Sequence, residues 1–500
     1  MRHGDGGRHA YSMRERIPRP GRERVGVIAQ ANRSPVGAVA DAVGARRTTA
    51  RAMVEEALRR IEHLDPALNT VVALRADAAI EEAELLDRSI AAGATAGPLA
   101  GVPILVKDLE DVAGMRTTHG SRLFADAPPA TADDRIPAQL RAAGAIIVGK
   151  SNMPEFATEG FTDNLVFGPT RNPWAPEWSP GGSSGGSAAA MAAGLVPFGT
   201  ATDGGGSIRI PAAFCGLVGI KPTLGVVGRY PAPDWIDLST SGPFATSVDD
   251  LRRLLVVESG HPTGDPSGAP NYAILAMTPP PARLFAAPRT SDFGPLPSEV
   301  AALFEAAVAA FAEALSLDVE WLEPPLFDDG DPDLDWFRLT TAEHVAALGR
   351  ERVIEGLALM HPTARAFMQD GLGTTIDEYL AARRRRFGYV RRLDELLGRS
   401  DLLLTPTVAS TGWAADGRLV PGSDRRLPPE VYSTALQNVT GHPAISVPFG
   451  RATNGVPFGL QITAPRFADA ELLDVAAIWE RSNPWRPVAP GYASFAEALP

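Results

Sequence analysis

Two serine-bearing, glycine-rich stretches stand close together in the chain: GGSSGGSAAA from position 181 and TDGGGSIRIPA from position 202. Glycine at such density costs backbone entropy on folding, so each stretch must serve something that needs it. Backbone N–H groups gathered on an anion, or the close approach of a ligand to the main chain, would meet that need. A flexible linker would not run directly into SAAAMAAGLVPFG, whose small apolar residues favour a packed helix. The first stretch therefore leads to a helix N-terminus, where N–H groups point outward. In the second, Gly204, Gly205 and Gly206 precede Ser207. Successive glycine amides can converge on one point and form an oxyanion hole at the serine itself.

A rival reading is the nucleophile elbow G-x-S-x-G, which GGSSGG satisfies at both Ser183 and Ser184. His261, His344, His361 and His442 are available downstream by order alone. An elbow needs a strand immediately before it, however, and NPWAPEWSP is no strand. Phosphate-binding patterns fail as well: neither loop contains G-x-x-x-x-G-K-[ST] or a strand followed by G-x-G-x-x-G. A serine nucleophile needs a base, and Lys107 at the end of the apolar run VPILVKDL is the candidate. Two readings stay open on that segment alone. The amine could snorkel from a strand end to solvent. Alternatively, burial lowers its pKa until the neutral amine accepts a proton.

The elements that would position these residues follow an α/β pattern. TARAMVEEALRRIEHLDP from Thr49 is a capped helix with Val54, Leu58, Ile61 and Leu64 on one face, and a second helix follows to Gly93. PLAGVPILVKDL contains a buried strand ending at Lys107, DDRIPAQLRAAG is a helix closed by Gly144, and AIIVGK is the next strand. TIDE from Thr375 to Glu378 is a capping box, DLLLTPT and AISVPFG are strands, and Gly455 marks a hairpin. The fold class expected is α/β, a single large α/β/α domain with a central mixed sheet covered by helices on both faces. Residues 1–30 read as a disordered basic tail and 31–500 as one domain, with a variable region at about 260–400.

Composition narrows the function. With 500 residues, 45% hydrophobic and 21% charged, the chain is globular. A formal net charge of −12 argues against nucleic acid or an anionic membrane as partner. The run EVAALFEAAVAAFAEAL carries Glu305 and Glu313 and is an amphipathic surface helix rather than a membrane span. The single cysteine, Cys215, excludes an internal disulfide and a multi-cysteine metal site, and reads as a small core residue. His119 and His442 read as loop or packing histidines. Arg383–Arg386 wrap a helix turn and read as a solvated face.

The block from 181 to 223, GGSSGGSAAAMAAGLVPFGTATDGGGSIRIPAAFCGLVGIKPT, resembles the signature of the amidase signature family of serine–cis-serine–lysine amidohydrolases. AGVPILVKDL, GKSNMPEF, FGPTRNPW, DLLLTPT and NVTGHPAISVP agree, and the likeness covers about positions 35–480. The resemblance implies Ser207 as nucleophile, Ser183 as a bridging serine on a cis peptide, and Lys107 as base. Ser183 and Ser207 stand 24 positions apart, the family's own spacing. It further implies that the amides of Gly204, Gly205 and Gly206 receive the oxyanion, that Ser184 supports the relay by hydrogen bonding, and that Asp203 and Arg209 brace the loop. Ala201 departs from a glycine common in the family without altering the spacing.

The implied activity is cleavage of a carboxylic amide C–N bond through an acyl-enzyme, with no cofactor and no metal. The expected partner is a small-molecule amide, not nucleic acid or membrane. A cytoplasmic location is expected, and a homodimer is compatible. Phe293, Phe304, Phe311, Trp321, Phe327 and Trp336 suggest an apolar pocket for apolar or aryl amides, with core packing as the alternative. Other substrates the family takes are glutamine, as ammonia source for a tRNA-dependent amidotransferase, carbamates and cyclic amides. A catalytically silent binding protein on the same scaffold would be expected to have lost Lys107, Ser183 or Ser207, and all are present.

Overall fold

The computed structural model describes residues 34–260, 264–270, 279–291, 293–328, 330–418 and 433–500; the expected basic tail and His261 lie outside them. In chain order the strands are β1 (Val71–Leu74), β2 (Pro103–Lys107), β3 (Ile146–Ser151), β4 (Phe198–Gly199), β5 (Thr202–Asp203), β6 (Val218–Lys221), β7 (Thr240–Ser241), β8 (Phe244–Ala245), β9 (Leu284–Ala286), β10 (Val319–Trp321), β11 (Leu402–Pro406), β12 (Ala444–Arg451) and β13 (Pro457–Thr463). Their ladders form a four-stranded sheet in the order β1-β3-β2-β4 and a seven-stranded sheet in the order β10-β9-β11-β13-β12-β6-β8, with β5 paired to β7. Both larger sheets mix parallel and antiparallel neighbours. One hydrophobic core runs through them, holding Ile104, Ile147 and Phe198 of the first and Ile220, Leu404, Ile445 and Leu460 of the second.

Local sequence accounts for most elements. The helix Ala50–Leu64 starts where Thr49 accepts the Ala52 N–H, and the Thr375–Glu378 capping box opens the helix Ile376–Leu397. β2 and β3 are buried at every residue, as the apolar runs of a parallel sheet covered on both faces must be. The β12–β13 hairpin turns at Gly455, whose φ of +90° favours glycine. Among the described residues no helix is long and apolar enough to cross a membrane.

The two glycine-rich stretches sit where the sheets meet. The helix Gly185–Ala192 is buried throughout, because its glycines let other backbone come close: a Cβ on Gly186 would lie 2.4 Å from the Asn152 carbonyl oxygen. The chain then forms β4 beside β2, turns through 204–208, and enters the helix Arg209–Cys215, which packs on β6, β12 and β13. The turn carrying Ser207 is thus the joint between the sheets.

Candidate active site

Lys107 ends β2 with its side chain wholly buried. Its amine lies 2.7 Å from Ser183 Oγ, 3.0 Å from Ser184 Oγ and 3.0 Å from Thr202 Oγ1. Three hydroxyls suit either protonation state, since each can accept from an ammonium or donate to a neutral amine. Burial pushes the amine down to about 7, against the opposing charges of Glu110 and Asp203. The snorkelling alternative is overturned: the Lys107 side chain is 0% exposed and its amine is spent on Ser183, Ser184 and Thr202. Ser183 is also buried, and the Gly182–Ser183 peptide is cis.

Ser207, 9% exposed, stands at the meeting of two cavities. One, of about 330 Å³, is shared with Ser183, Thr202 and Gly204 and has mixed walls, with Glu110, Asp134, Arg229 and Asp234 set among Phe156, Pro231 and Trp235. The other, of about 250 Å³, is walled by Phe161, Trp235, Trp336, Phe337, Phe367 and Trp413. Among the described residues no hydrogen bond joins the Ser207 and Ser183 hydroxyls; catalytic hydrogen bonds commonly tighten only when substrate is present.

Asp203 and Arg209 do brace the turn. All five guanidinium N–H groups are used: two on Asp203, one on Asn438, and one each on Gln437 and Gln461. The Asp203 carboxylate in turn accepts the N–H groups of Gly206 at 2.7 Å and Ile208 at 3.2 Å, on either side of Ser207. Burial would raise this carboxyl, but Arg209 outweighs it and holds the group below the usual carboxylate range.

That bond corrects one expectation. The Gly206 amide faces Asp203 and is already taken, while the amides of Gly204, Gly205 and Ser207 have no hydrogen-bond partner among the described residues. The loop carbonyls are held as well. Asp203 O accepts Asn438 Nδ2, Gly204 O accepts Trp336 Nε1, Gly205 O accepts Thr434 Oγ1, and Gly206 O accepts the Ile210 N–H. In a trans peptide the following N–H points the opposite way, so each tie aims an amide.

The aromatic expectation holds for one residue of six. Phe304, Phe311 and Phe327 are core, Trp321 is 49% exposed, and Phe293 lines neither cavity; only Trp336 does. The arginine run is also more than a solvated face: Arg383 and Arg386 grip Asp237 and Arg385 grips Asp335. His442 packs against Asp394 and Cys215 is buried, but His119 lines the cavity that Ser183 and Ser207 share. Residues not foreseen are Thr202, Thr434, Asn438 and Trp235. Asn438 sits in NVTGHPAISVP, so a signal was at hand; Trp235 lies in a loop with no periodic pattern to mark it.

The chain as a whole has counterparts among known proteins. Residues 52–473 match the Amidase family model. A glutamyl-tRNA(Gln) amidotransferase subunit from Synechococcus sp. is 35% identical, over 90% of this chain and 97% of that protein. The crystal structure of a bacterial aryl acylamidase of the amidase signature family aligns with a TM-score of 0.80 at 30% identity, covering 90% of this chain and 98% of the other. A 6-aminohexanoate cyclic dimer hydrolase gives 0.80 at 29% identity, covering 92% and 99%. The chain belongs to the amidase signature family and is an amide-hydrolysing enzyme.

Proposed function

We propose that the protein is a stand-alone amidase that hydrolyses apolar or aryl carboxylic amides through an acyl-enzyme on Ser207. The observation that carries this reading is the 2.7 Å contact between Lys107 and Ser183, buried beside the cavity that Ser183 and Ser207 share. The neutral Lys107 amine takes the Ser183 proton as Ser183 takes that of Ser207, whose oxygen attacks the amide carbon. The amides of Gly204, Gly205 and Ser207 receive the oxyanion; one such donor is commonly worth roughly 3 kcal/mol. Collapse of the tetrahedral intermediate breaks the C–N bond, and Ser183 returns a proton to the departing nitrogen. Water, deprotonated by the same relay, then releases the acid.

Because Ser183 borders the first cavity and not the aromatic one, the amine leaves on that side, and the acyl group occupies the aromatic cavity. Apolar walls of this kind favour an aryl or aliphatic acyl group. Likeness to the tRNA-dependent amidotransferase supports a second reading, glutamine hydrolysis within a larger assembly. A fluorophosphonate probe followed by peptide mapping, with a panel of anilides and glutamine, tests both. Labelling at Ser207 and turnover of anilides by the protein alone is the expected result. Ammonia release from glutamine only with partner subunits present would overturn the stand-alone assignment.

A further inference from the structure

We propose that Trp336 is a positioning residue for the reaction at Ser207, acting through the Gly204–Gly205 peptide; this rests on the amidase reading above. The indole Nε1–H donates to Gly204 O at 2.6 Å. An indole nitrogen is a donor only, so this bond has one polarity and holds the carbonyl in one direction. Planarity of the peptide then turns the Gly205 N–H away from the indole nitrogen, and that amide has no partner among the described residues. The same ring lies on the Gly205 backbone, where an added Cβ would come within 2.3 Å of Trp336 Cζ2. Trp235 meets Trp336 edge-on at 5.9 Å between centroids and covers Gly204 in the same way, with 2.1 Å left for a Cβ. The peptide is thus packed from its faces and pinned at its oxygen.

Where Trp336 comes from matters as much as what it touches. Ile210 lies in the signature block, Asn438 opens the matching segment NVTGHPAISVP, and Thr434 stands just before it; these three hold the other carbonyls. Trp336 reaches in from the helix Pro332–Leu348, inside the region expected to vary, and its ring is also a wall of the aromatic cavity. An acyl group that fills this cavity presses on the ring that sets the Gly205 amide. Binding energy from a part of the substrate that does not react is thereby expressed in kcat rather than only in KM.

The test is Trp336→Phe, which keeps an aromatic wall and removes the N–H, assayed with benzoyl and acetyl anilides. We expect kcat for the benzoyl substrate to fall roughly 10-fold or more with KM changed less than about threefold. The rate of Ser207 labelling by a fluorophosphonate, whose oxygen occupies the same hole, should fall in step. The advantage of benzoyl over acetyl in kcat should shrink. A kcat and labelling rate within about twofold of wild type, or a loss confined to KM, would overturn the proposal. Should Trp336→Phe fail to fold, Trp336→Met carries the same expectation, with thermal melting as the check on folding. Wild-type protein that does not label at Ser207 would instead overturn the amidase reading itself.

Discussion

Arg209 grips Asp203 through two parallel hydrogen bonds, Nε to Oδ2 at 2.9 Å and Nη2 to Oδ1 at 2.8 Å, with neither side chain reaching solvent. Because Asp203 also holds the amides on both sides of Ser207, this pair sets the shape of the turn that carries Ser207. Removing the cation leaves a buried carboxylate without its charge partner. Arg209→Met should cost about 3–5 kcal/mol in urea denaturation and suppress Ser207 labelling. Arg209→Lys should fall between, since an ammonium offers three donors where the guanidinium offers five. A loss below about 1 kcal/mol for Arg209→Met would contradict this account.

Lys107 must be neutral to act as a base. With its amine held down to about 7, kcat/KM should rise with pH through about 7 and then level. Lys107→Met should abolish turnover at every pH. The sign of the stability effect follows from the same shift. The unfolded chain keeps a proton on this amine up to its ordinary range, whereas the folded chain releases it near 7. The wild type should therefore gain stability relative to Lys107→Met as pH rises above about 7. A pH-independent difference in melting temperature would refute it.

Glu110 provides a way to move that limb. Burial pushes its carboxyl up to about 7, and its charge opposes the lowering of Lys107. The two are also joined through Thr200, which accepts the Lys107 N–H at 2.9 Å and donates to the Glu110 carboxylate. Glu110→Gln retains an acceptor for Thr200 and removes the charge. The rising limb of the pH–rate profile should shift to lower pH, and a shift to higher pH would show the coupling to be wrong.

Gly205 has no room for a side chain beneath Trp336. Gly205→Ala must displace the ring, and an overpacked core position commonly costs about 1–3 kcal/mol. Activity should fall with stability, because the Gly204 carbonyl loses its donor. Combining Gly205→Ala with Trp336→Leu should recover part of the stability but not the activity. Additive losses in both would indicate that the two residues do not meet.

What could be read from the chain alone was whatever repeats locally or lies within one short segment. Helices with caps such as Thr49 and Thr375, strands such as Pro103–Lys107, and the three side chains proposed to react, whose roles the family resemblance implies, belong to that class. Their types and spacing are set by chemistry, and a glycine-rich serine loop has few other uses. Only the folded chain decided which groups meet across long separations. Thr202 joins Ser183 and Ser184 around the amine, the Gly206 amide turns to Asp203, and one of six candidate aromatics reaches the aromatic cavity. The physical reason is that a side chain's surroundings depend on how sheets and helices pack. Local periodicity shows that Phe304 is buried on a helix face; it cannot show whether that face looks onto the core or onto a substrate.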